Sequence, residues 1–333
     1  MAEVFAFGVG LANTNPAGDV LDCLFPRPVL RPENAVLEAV SNFTPGTSTV
    51  SAREVAKAND LAGGALVPTS LLDADKPLTV VSLTADEAIK STAEAYLKLH
   101  LLSHRLTLPN TLNLDGIFAH LPNLAWTSAG PIEVDKLTDA LIAARARGEH
   151  LEVMSIDKFP KMVNYVMPPG VRIADASRIR LGAYLGEGTT VMHEGFVNFN
   201  AGAIGPNMVE GRISQGVIIE AGTDLGGSSS TMGTLSGGGE ITITLGKNCL
   251  IGANAGTGIP LGDRCTIEAG LYITAGTVVS IVNENREEVR KVKARELAGG
   301  SDMLFIRDSQ TGQIICRSNR QAIALNDALH AHN

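Results

Sequence analysis

The sequence is poor in aromatic residues and in cysteine, and each shortage narrows the class of protein. Aromatic side chains make up 4% of the 333 residues, whereas glycine occurs 35 times, a balance that favours repetitive β-structure. The cysteines are Cys23, Cys249, Cys265 and Cys316. They form no CxxC pair, and none lies near a histidine at the spacing of zinc ligands, so we expect reduced, structural thiols.

Basic charge and long apolar runs are also missing. The net charge of -8 argues against a nucleic-acid surface, because affinity for phosphate backbones requires clustered Lys and Arg. The N-terminal segment carries Glu3 and no basic residues, and no run approaches the roughly 18 apolar residues of a membrane span. We therefore expect a cytoplasmic protein without a nucleic-acid or membrane partner.

Residues 1–167 are predicted to form an α/β domain. Two S/T-x-x-E sequences that are typical of capped helix starts are Ser51 with Glu54 and Thr84 with Glu87. The second predicts a helix that runs to about Arg105, and a third helix is predicted from about Asp135 until Gly148 ends it. The apolar runs that predict strands are 78–83 and 151–156. Their order in a sheet does not follow from the sequence.

Aliphatic residues recur every six positions in the middle of the chain. The first run is Ile173, Ile179, Leu185, Val191, Val197, Ala203 and Val209. The phase then slips by four, and the later members are Ile213, Ile219, Leu225, Leu245, Ile251, Leu261, Ile267, Ile273 and Val279. A period of six matches neither an α-helix nor a single strand, and short fixed periods are typical of solenoids.

Each six-residue unit is predicted to form one side of a triangular coil. The aliphatic residue then points inward, so stacked coils bury a continuous apolar column, and small residues serve the tight corners. The coil is predicted over 168–282, and a C-terminal extension follows over 283–333. A glycine-rich loop region is the alternative interpretation.

Two interruptions of the repeat carry more functional information than the regular coils. One is the slip of four that follows Val209. The other is the polar, glycine-rich segment 226–239, which we expect to leave the coil as a long loop of the kind that carries binding or catalytic residues. A flexible insertion is the alternative. Beyond the repeat, a charged run spans 286–296 and a short helix is predicted near 321–331.

Five motifs give the chain a specific resemblance to a known family. They are 192–200 (MHEGFVNFN), 208–214 (MVEGRIS), 232–238 (MGTLSGG), 268–272 (EAGLY) and 292–297 (VKAREL). On these residues the chain resembles the tetrahydrodipicolinate N-succinyltransferases of the longer, actinobacterial and pseudomonad-like group, which are hexapeptide-repeat transferases.

The resemblance implies a mainly β fold: a left-handed parallel β-helix with an N-terminal α/β domain and a short C-terminal extension. It implies a homotrimer with active sites between neighbouring chains. The implied reaction moves a succinyl group from succinyl-CoA to the amine of ring-opened tetrahydrodipicolinate, in the succinylase branch of lysine and diaminopimelate biosynthesis. That chemistry requires no cofactor beyond the CoA co-substrate.

The resemblance also assigns catalytic roles. Glu210 matches the catalytic acid of the family, and we expect it to act as general base toward the attacking amine. A covalent acyl-anhydride role and a solvated corner glutamate are the alternatives. Gly233 matches the backbone N–H donor to the thioester oxyanion, and the missing side chain would let a substrate oxygen approach that N–H closely.

Binding residues follow from the same matching. Arg212 is expected to hold a substrate carboxylate through two hydrogen bonds, and a surface arginine is the alternative. The residues expected to line the CoA donor are Gly227, Ser230, Ala253, Glu268, Ala269, Gly276, Lys293, Ile306, Arg307, Asp308 and Ser309. Lys291, Lys293 and Arg295 supply the local basic patch that CoA phosphates require.

Some members of the family hold a divalent cation on the trimer axis through a glutamate and an aspartate from each chain. Glu194 matches the glutamate, but Ser177 occupies the aspartate position. Asp175 is close in sequence and is expected to face another way. The resemblance therefore suggests an Mg²⁺ ion on the trimer axis, but this chain has only one of the two expected ligands.

The histidines are not expected to bind a metal or to act in catalysis. His100 and His104 lie four apart on a predicted helix, but no further zinc ligand is evident, so packing or surface roles are expected. His193 is the only histidine of the repeat, and a structural role is expected because the family motif assigns catalysis elsewhere.

Three other functions are alternatives to succinyl transfer. The main alternative is another hexapeptide-repeat acyl-CoA N-acyltransferase, for example one that moves an acetyl group to an amino sugar with a histidine base. A zinc hydratase on the same coil would need three histidines. A non-enzymatic scaffold would not be expected to carry the polar segment 226–239.

Overall fold

The computed structural model describes residues 3–235 and 241–318, and the chain forms two compact units. The first consists of Met1–Thr107, Thr111–Pro160 and Asn164–Val166, and the second of Leu108–Asn110, Lys161–Val163 and Met167–Asn333. The separation of a coil over 168–282 from an extension over 283–333 stays a prediction. Among the described residues, no helix has the length and apolar character needed to cross a membrane.

The first unit combines two antiparallel sheets with short helices. Its strands are β1 (Ala6–Thr14), β2 (Val20–Leu24), β3 (Val29–Leu30), β4 (Gly46–Val50), β5 (Leu78–Leu83), β6 (Leu124–Thr127), β7 (Gly130–Glu133) and β8 (Val153–Asp157). Its helices are α1 (Asn34–Val40), α2 (Ala52–Leu61), α3 (Thr69–Leu72), α4 (Thr92–Ser103), α5 (Ile117–His120) and α6 (Leu137–Ala146). The larger sheet has the order β2-β1-β5-β4 with β3 also paired to β1, and the smaller has the order β7-β6-β8.

The core of this unit lies where β1 and β5 meet α1 and α2. Phe7, Val9 and Val80 from the sheet are at most 1% exposed, and Val40 and Val55 from the helices are fully buried. Burying each such side chain contributes roughly 1.5–3 kcal/mol relative to exposure. The strand predicted at 78–83 is confirmed as β5, and β8 confirms the one predicted near 151–156.

Two of the three predicted helices are confirmed, and the start predicted for the other is wrong. Ser51 and Glu54 form the reciprocal capping box of α2, and α6 ends two residues before Gly148, whose φ is +73°. By contrast α4 begins at Thr92, not at Thr84. The buried Lys98 Nζ donates to Asp86 Oδ1 (2.7 Å) and to the Glu87 carbonyl (2.6 Å), which holds the segment before α4 in a non-helical path.

The second unit is a coil of short strands. They are β9 (Arg172–Ile173), β10 (Tyr184–Leu185), β11 (Thr189–Val191), β12 (Phe196–Val197), β13 (Gly202–Ala203), β14 (Asn207–Val209), β15 (Arg212–Ile213), β16 (Ile218–Ile219), β17 (Asp224–Leu225), β18 (Ser230–Thr231), β19 (Thr244–Leu245), β20 (Leu250–Ile251), β21 (Gly256–Thr257), β22 (Thr266–Ile267), β23 (Tyr272–Ile273), β24 (Val278–Val282), β25 (Glu288–Lys293), β26 (Met303–Arg307) and β27 (Ile314–Ser318). Short 3-10 turns in the chain are Val134–Lys136, Met162–Asn164, Ala176–Arg178 and Ala294–Leu297.

These strands build the three faces of a left-handed parallel β-helix, which confirms the predicted fold. Face 1 has the order β9-β11-β14-β17-β20-β22, face 2 the order β12-β15-β18-β21-β23, and face 3 the order β10-β13-β16-β19. All neighbours within these faces are parallel and come from successive coils. At the end of the coil β26 extends face 1, and β27, β24 and β25 continue that sheet beyond it.

The inward positions predicted from the six-residue period are confirmed. All of them from Ile179 to Val279 are at most 2% exposed, and only Ile173 in the first coil is half-buried. The structure adds two members that the pattern missed, since Thr231 and Thr257 occupy inward positions and are at most 1% exposed. Their hydroxyls are satisfied by the carbonyls of Arg212 (2.9 Å) and Ile259 (2.7 Å).

The expected excursion over 226–239 is therefore partly wrong. Residues 226–231 complete a regular side of the coil, because Ser230 pairs with Arg212 and with Gly256 in face 2. The chain leaves the coil only after Thr231. Thr234 and Thr242 then form an antiparallel bridge, and the Leu235 N–H donates to the Ile241 carbonyl at 2.9 Å. Residues 236–240, which include the end of the predicted excursion, lie outside the described ranges.

All four cysteines are free and buried. Cys249 and Cys265 stack on successive coils two residues before inward aliphatic positions, with the Cys265 N–H donating to Cys249 Sγ (3.3 Å). Burial raises the pKa of the Cys316 thiol to about 11 and that of Cys23 well above its usual range. Inaccessible, protonated thiols are unreactive. The helix predicted near 321–331 lies outside the described residues.

Candidate active site

One corner of the coil carries a continuous row of backbone turns that starts at Glu210. The residues that directly follow four successive face 1 strands are Glu210, Gly226, Gly252 and Glu268. Ile306 continues this row within β26, because it follows Phe305, which pairs with the inward Ile267. The first four N–H groups each bond to the carbonyl of the next coil at 2.7–3.0 Å. This row and the residue after each member are called the Glu210 corner below.

Most of the residues predicted to line CoA lie at the Glu210 corner. Gly227, Ala253, Glu268, Ala269 and Ile306 belong to it directly. Glu268 Oε2 accepts a hydrogen bond from the Arg307 N–H at 2.8 Å, so the segment predicted at 306–309 joins its end. The structure therefore brings together residues that are up to about 100 positions apart in sequence.

The Glu210 carboxylate faces a glycine and a second carboxylate. A Cβ at Gly227 would lie 3.5 Å from Glu210 Oε2 and 3.1 Å from Glu194 Oε2. Ser228 Oγ donates to Glu194 Oε2 at 3.2 Å, whereas no side chain in the described ranges donates to the carboxylate of half-buried Glu210. An ionised carboxylate without a protein donor is free to accept a proton from a bound amine.

A shallow cavity of about 570 Å³ lies beside this carboxylate pair. It is lined by Arg178, His193, Glu194, Phe196, Arg212, Ser228 and Ser229. Arg212 is exposed and stands on the outer side of face 2, next to Phe196 on one coil and Ser230 on another. His193 is also exposed, so it is not a packing residue of the coil interior.

A second corner follows the strands of face 2 and carries Gly233. The Ile243 N–H donates to the Gly233 carbonyl at 3.3 Å, and a Cβ at Gly233 would lie 2.9 Å from the Gln215 carbonyl oxygen. The Gly233 N–H itself has no acceptor in the part of the chain that is described. A fixed, unbonded N–H beside a position where only glycine fits is suited to an incoming oxyanion.

Gly276 and the basic residues lie near the end of this second corner. The Arg295 N–H donates to the Ala275 carbonyl at 3.1 Å, and its Nε donates to the same oxygen at 3.4 Å. Lys293 pairs with Val278 in the β24–β25 hairpin, so it stands close to Gly276. Lys291 lies 3.5 Å from Glu288, which partly neutralises the predicted basic patch.

Within one chain, the structure does not unite the two predicted catalytic groups. Glu210 follows β14 of face 1, whereas Gly233 follows β18 of face 2. These positions are different corners of a triangular coil. One chain therefore presents two partial sites, each with part of the predicted chemistry.

The residues that resemble the axial metal site do not form a ligand set in this chain. Ser177 donates to Asp175 Oδ1 from its hydroxyl (2.6 Å) and from its N–H (2.9 Å), and these two bonds lower the pKa of the Asp175 carboxyl. Mg²⁺ prefers six oxygen ligands in octahedral geometry, and Glu194 alone supplies a carboxylate. In residues 3–235 and 241–318 no group of three or more His, Cys, Asp or Glu side chains could hold a metal ion.

Arg178 and Ser228 line the cavity but were not predicted from the sequence. Arg178 directly precedes the inward Ile179, as Arg212 precedes Ile213. A residue in that position points outward from the coil. Extending the six-residue register by one position would therefore have identified Arg178.

The fold and the two corners define a class of protein before any relative is considered. A hexapeptide-repeat coil that carries an unpartnered carboxylate at one corner and an unbonded glycine N–H at another has the parts of a CoA-dependent acyltransferase.

Three family models match. They are described as tetrahydrodipicolinate N-succinyltransferase N-terminal (46–119), tetrahydrodipicolinate N-succinyltransferase middle (121–161) and hexapeptide repeat of succinyl-transferase (242–275). Proteins named 2,3,4,5-tetrahydropyridine-2,6-dicarboxylate N-succinyltransferase are similar over nearly the whole chain. The relative from Pseudomonas putida is 53% identical over 99% of both chains, that from Pseudomonas aeruginosa 54% over 98% of both, and that from Vibrio cholerae 50% over 99% of both.

A solved structure agrees with these relatives. A crystal structure from Campylobacter jejuni, described as a 2,3,4,5-tetrahydropyridine-2-carboxylate N-succinyltransferase, has a TM-score of 0.85 and 31% identity, and covers 97% of this chain and 94% of its own. The chain belongs to the tetrahydrodipicolinate N-succinyltransferase family. It is a CoA-dependent N-acyltransferase, as the resemblance predicted.

Proposed function

We propose that this chain transfers the succinyl group of succinyl-CoA to the amine of ring-opened tetrahydrodipicolinate, in the cytoplasmic synthesis of diaminopimelate and lysine. The observation that carries the proposal is the Glu210 corner. An unpartnered carboxylate stands at the head of a row along which the predicted CoA residues are stacked. The names of relatives that are 50–54% identical over nearly their full length support the same substrates.

The proposed chemistry assigns one role to each corner. The acceptor amine attacks the thioester carbonyl while Glu210 accepts its proton, so a C–N bond forms and the carbonyl oxygen becomes an oxyanion. That oxyanion accepts a hydrogen bond from the Gly233 N–H. Collapse of the intermediate breaks the C–S bond, and the CoA sulfur leaves with the proton held by Glu210. An acyl-anhydride on Glu210 is the alternative route.

The spacing of the coils suits an extended donor. Glu210 and Ile306 are four rungs apart, and at about 4.8 Å per rung the Glu210 corner spans about 19 Å. A CoA arm laid along it would place its thioester beside Glu210 and its nucleotide toward the segment 306–309. The backbone at Gly252 approaches Ala269 so closely that a Cβ there would lie 2.5 Å from the Ala269 N–H nitrogen, so this position of the Glu210 corner accepts only glycine.

The separation of Glu210 from Gly233 supports a homotrimer. Two corners of one coil face different directions, so a complete site needs a Gly233 corner supplied by a neighbouring chain. A closed threefold ring provides one such pairing per chain. In this proposal the chemistry uses no metal, since the axial residues lack a second carboxylate.

The direct test is release of the CoA thiol from succinyl-CoA and from acetyl-CoA, each with and without tetrahydrodipicolinate. The proposal predicts release that requires both succinyl-CoA and that acceptor. Acetyl-CoA with an amino sugar tests the alternative acyltransferase. Turnover with that pair and none with succinyl-CoA and tetrahydrodipicolinate would contradict the proposal.

A further inference from the structure

We propose that Arg178 binds one of the two carboxylates of the acceptor and so makes the enzyme selective for a dicarboxylate. This inference rests on the proposed function and names a specificity residue for it. Its starting point is a charge mismatch. The acceptor brings two carboxylates and the succinyl group a third, whereas Arg212 can hold only one of them in a two-bond geometry.

Arg178 stands in the same outward row as Arg212. Ile179 bridges to Val197, so Arg178 neighbours Phe196, and Phe196 in turn pairs with Arg212 in face 2. The two arginines therefore flank the Phe196 ring on successive coils. Both line the cavity together with Glu194, and the Glu194 and Glu210 carboxylates both lie near Gly227.

The Arg178 side chain is held in place by groups that are not anions. Its Nη2 donates to the Glu194 carbonyl (2.9 Å) and its Nε to the Gly195 carbonyl (3.2 Å). The guanidinium carbon lies 5.8 Å from the centre of the Phe196 ring, a cation–π contact. Carbonyl and ring contacts orient the fork, and the Asp175 carboxylate is near enough to interact with its charge, although no ion pair of Arg178 is formed within the described ranges.

One edge of the fork is left for a ligand. Within the described ranges Nη1 has no acceptor and Arg178 forms no salt bridge. A pre-oriented guanidinium beside a cavity loses little side-chain entropy when it binds a carboxylate. Arg178 and Arg212 on either side of a flat aromatic ring can grip the two ends of a six-carbon or seven-carbon dicarboxylate whose amine points toward Glu210.

The test compares substitutions at Arg178 with a matched control. Arg178→Met removes the charge and keeps an apolar stem over Phe196, and Arg178→Lys keeps a charge but loses the planar fork. The control is Arg180→Met, because Arg180 lies two residues away, donates to Asn198 Oδ1 (3.1 Å) and does not line the cavity. Trimer mass and far-UV circular dichroism check that each variant folds.

In Arg178→Met we expect the KM for tetrahydrodipicolinate to rise at least about tenfold, with KM for succinyl-CoA and kcat changed less than about threefold. Arg178→Lys should show a smaller rise and Arg180→Met none. Competitive inhibition supplies the sharper readout. The Ki of pyridine-2,6-dicarboxylate should rise in Arg178→Met, while the Ki of pyridine-2-carboxylate stays within about twofold, because only the dicarboxylate uses both arginines.

Equal changes in the KM of both substrates, or equal changes in the two Ki values, would overturn the inference and leave Arg178 as a structural residue. If Arg178→Met fails to fold, the same comparison in Arg178→Lys decides. Absence of acceptor-dependent thiol release in the unmodified enzyme would instead refute the proposed function and this inference with it. Normal turnover with an unchanged acceptor KM would refute this inference alone.

Discussion

At the scale of single residues, the proposed chemistry depends on groups that the fold leaves without protein partners. The Glu210 carboxylate and the Gly233 N–H both lack a partner in the described part of the chain, although most polar groups of folded proteins have one. Arg178 keeps one edge of its guanidinium free in the same way. In the proposed mechanism the substrates form hydrogen bonds and ion pairs with these three groups.

Glu210→Gln is the first prediction at this scale. The amide keeps the shape of the side chain but cannot accept a proton, so we expect kcat to fall by about 10²–10⁴-fold with the assembly intact. Steady-state thiol release measures it. Glu220→Gln is the matched control, since Glu220 also directly follows an inward aliphatic residue but belongs to face 3, and it should keep full activity. Equal kcat in the two variants would remove Glu210 from its role.

A second prediction concerns His100 and acid stability. The side chain is fully buried, its Nε2 accepts from the Phe25 N–H (3.2 Å), and burial lowers the pKa of His100 to about 3. The unfolded chain, with a pKa near 6.5, binds the proton more readily. Stability is therefore fully present above about pH 6.5 and is lost as the pH falls toward 3, by about 1.4 kcal/mol per unit.

Urea unfolding between pH 7.5 and pH 5 measures this effect. In His100→Gln the amide oxygen can still accept from Phe25, and the fall in stability on acidification should shrink by about 1–2 kcal/mol. His150→Gln is the control, because His150 is exposed. The same pH dependence in all three proteins would show that His100 is not the source.

At the scale of the element, the six-residue period predicted the coil because the interior of a solenoid is apolar. Its inward positions therefore accept only apolar side chains, or polar ones whose hydrogen bonds are made within the coil. The same logic explains its failures. Thr231 and Thr257 were missed because a threonine enters the interior once its hydroxyl reaches a carbonyl. The start of α4 was misplaced because a tertiary contact, Lys98 with Glu87, outweighed a local capping signal.

The prediction at this scale concerns the stability of variants in which a glycine at a corner of the coil is replaced. A Cβ at Gly211 would lie 2.1 Å from Ser229 Oγ and 2.7 Å from the Ser229 carbonyl oxygen, and the second of these is backbone that cannot turn away. Gly211→Ala should cost about 1–3 kcal/mol of unfolding free energy. Gly276→Ala, where no atom lies within 4 Å of the added Cβ, should leave stability unchanged. Thermal and urea unfolding measure the stability of both variants. Equal stability would contradict the prediction and show that the backbone around Gly211 shifts to accommodate the added Cβ.

At the scale of the whole molecule, the β-helix predicted from the sequence is confirmed, whereas the site residues stay predictions, and the two came from different kinds of signal. Periodicity led to the coil, whereas the roles of Glu210, Gly233 and the CoA residues came from family motifs, because a lone glutamate or loop glycine carries no positional signal of its own. The order of strands in the N-terminal sheets did not follow from the sequence, since antiparallel pairing between distant segments is set by packing. Predicting Arg178 would have required the six-residue register of the coil in addition to the family motifs.

The central claim is that Glu210 of one chain and Gly233 of its neighbour form one active site. It is tested by mixing Glu210→Gln chains with Gly233→Val chains, each inactive alone, and isolating differently tagged mixed trimers after joint refolding. In a closed ring each mixed trimer holds one intact site of three, so the isolated mixed trimers should recover about one third of the unmodified activity, and the unfractionated equal mixture about one quarter. Activity no greater than that of the two parent variants, with mixed trimers verified by mass, would contradict the shared site.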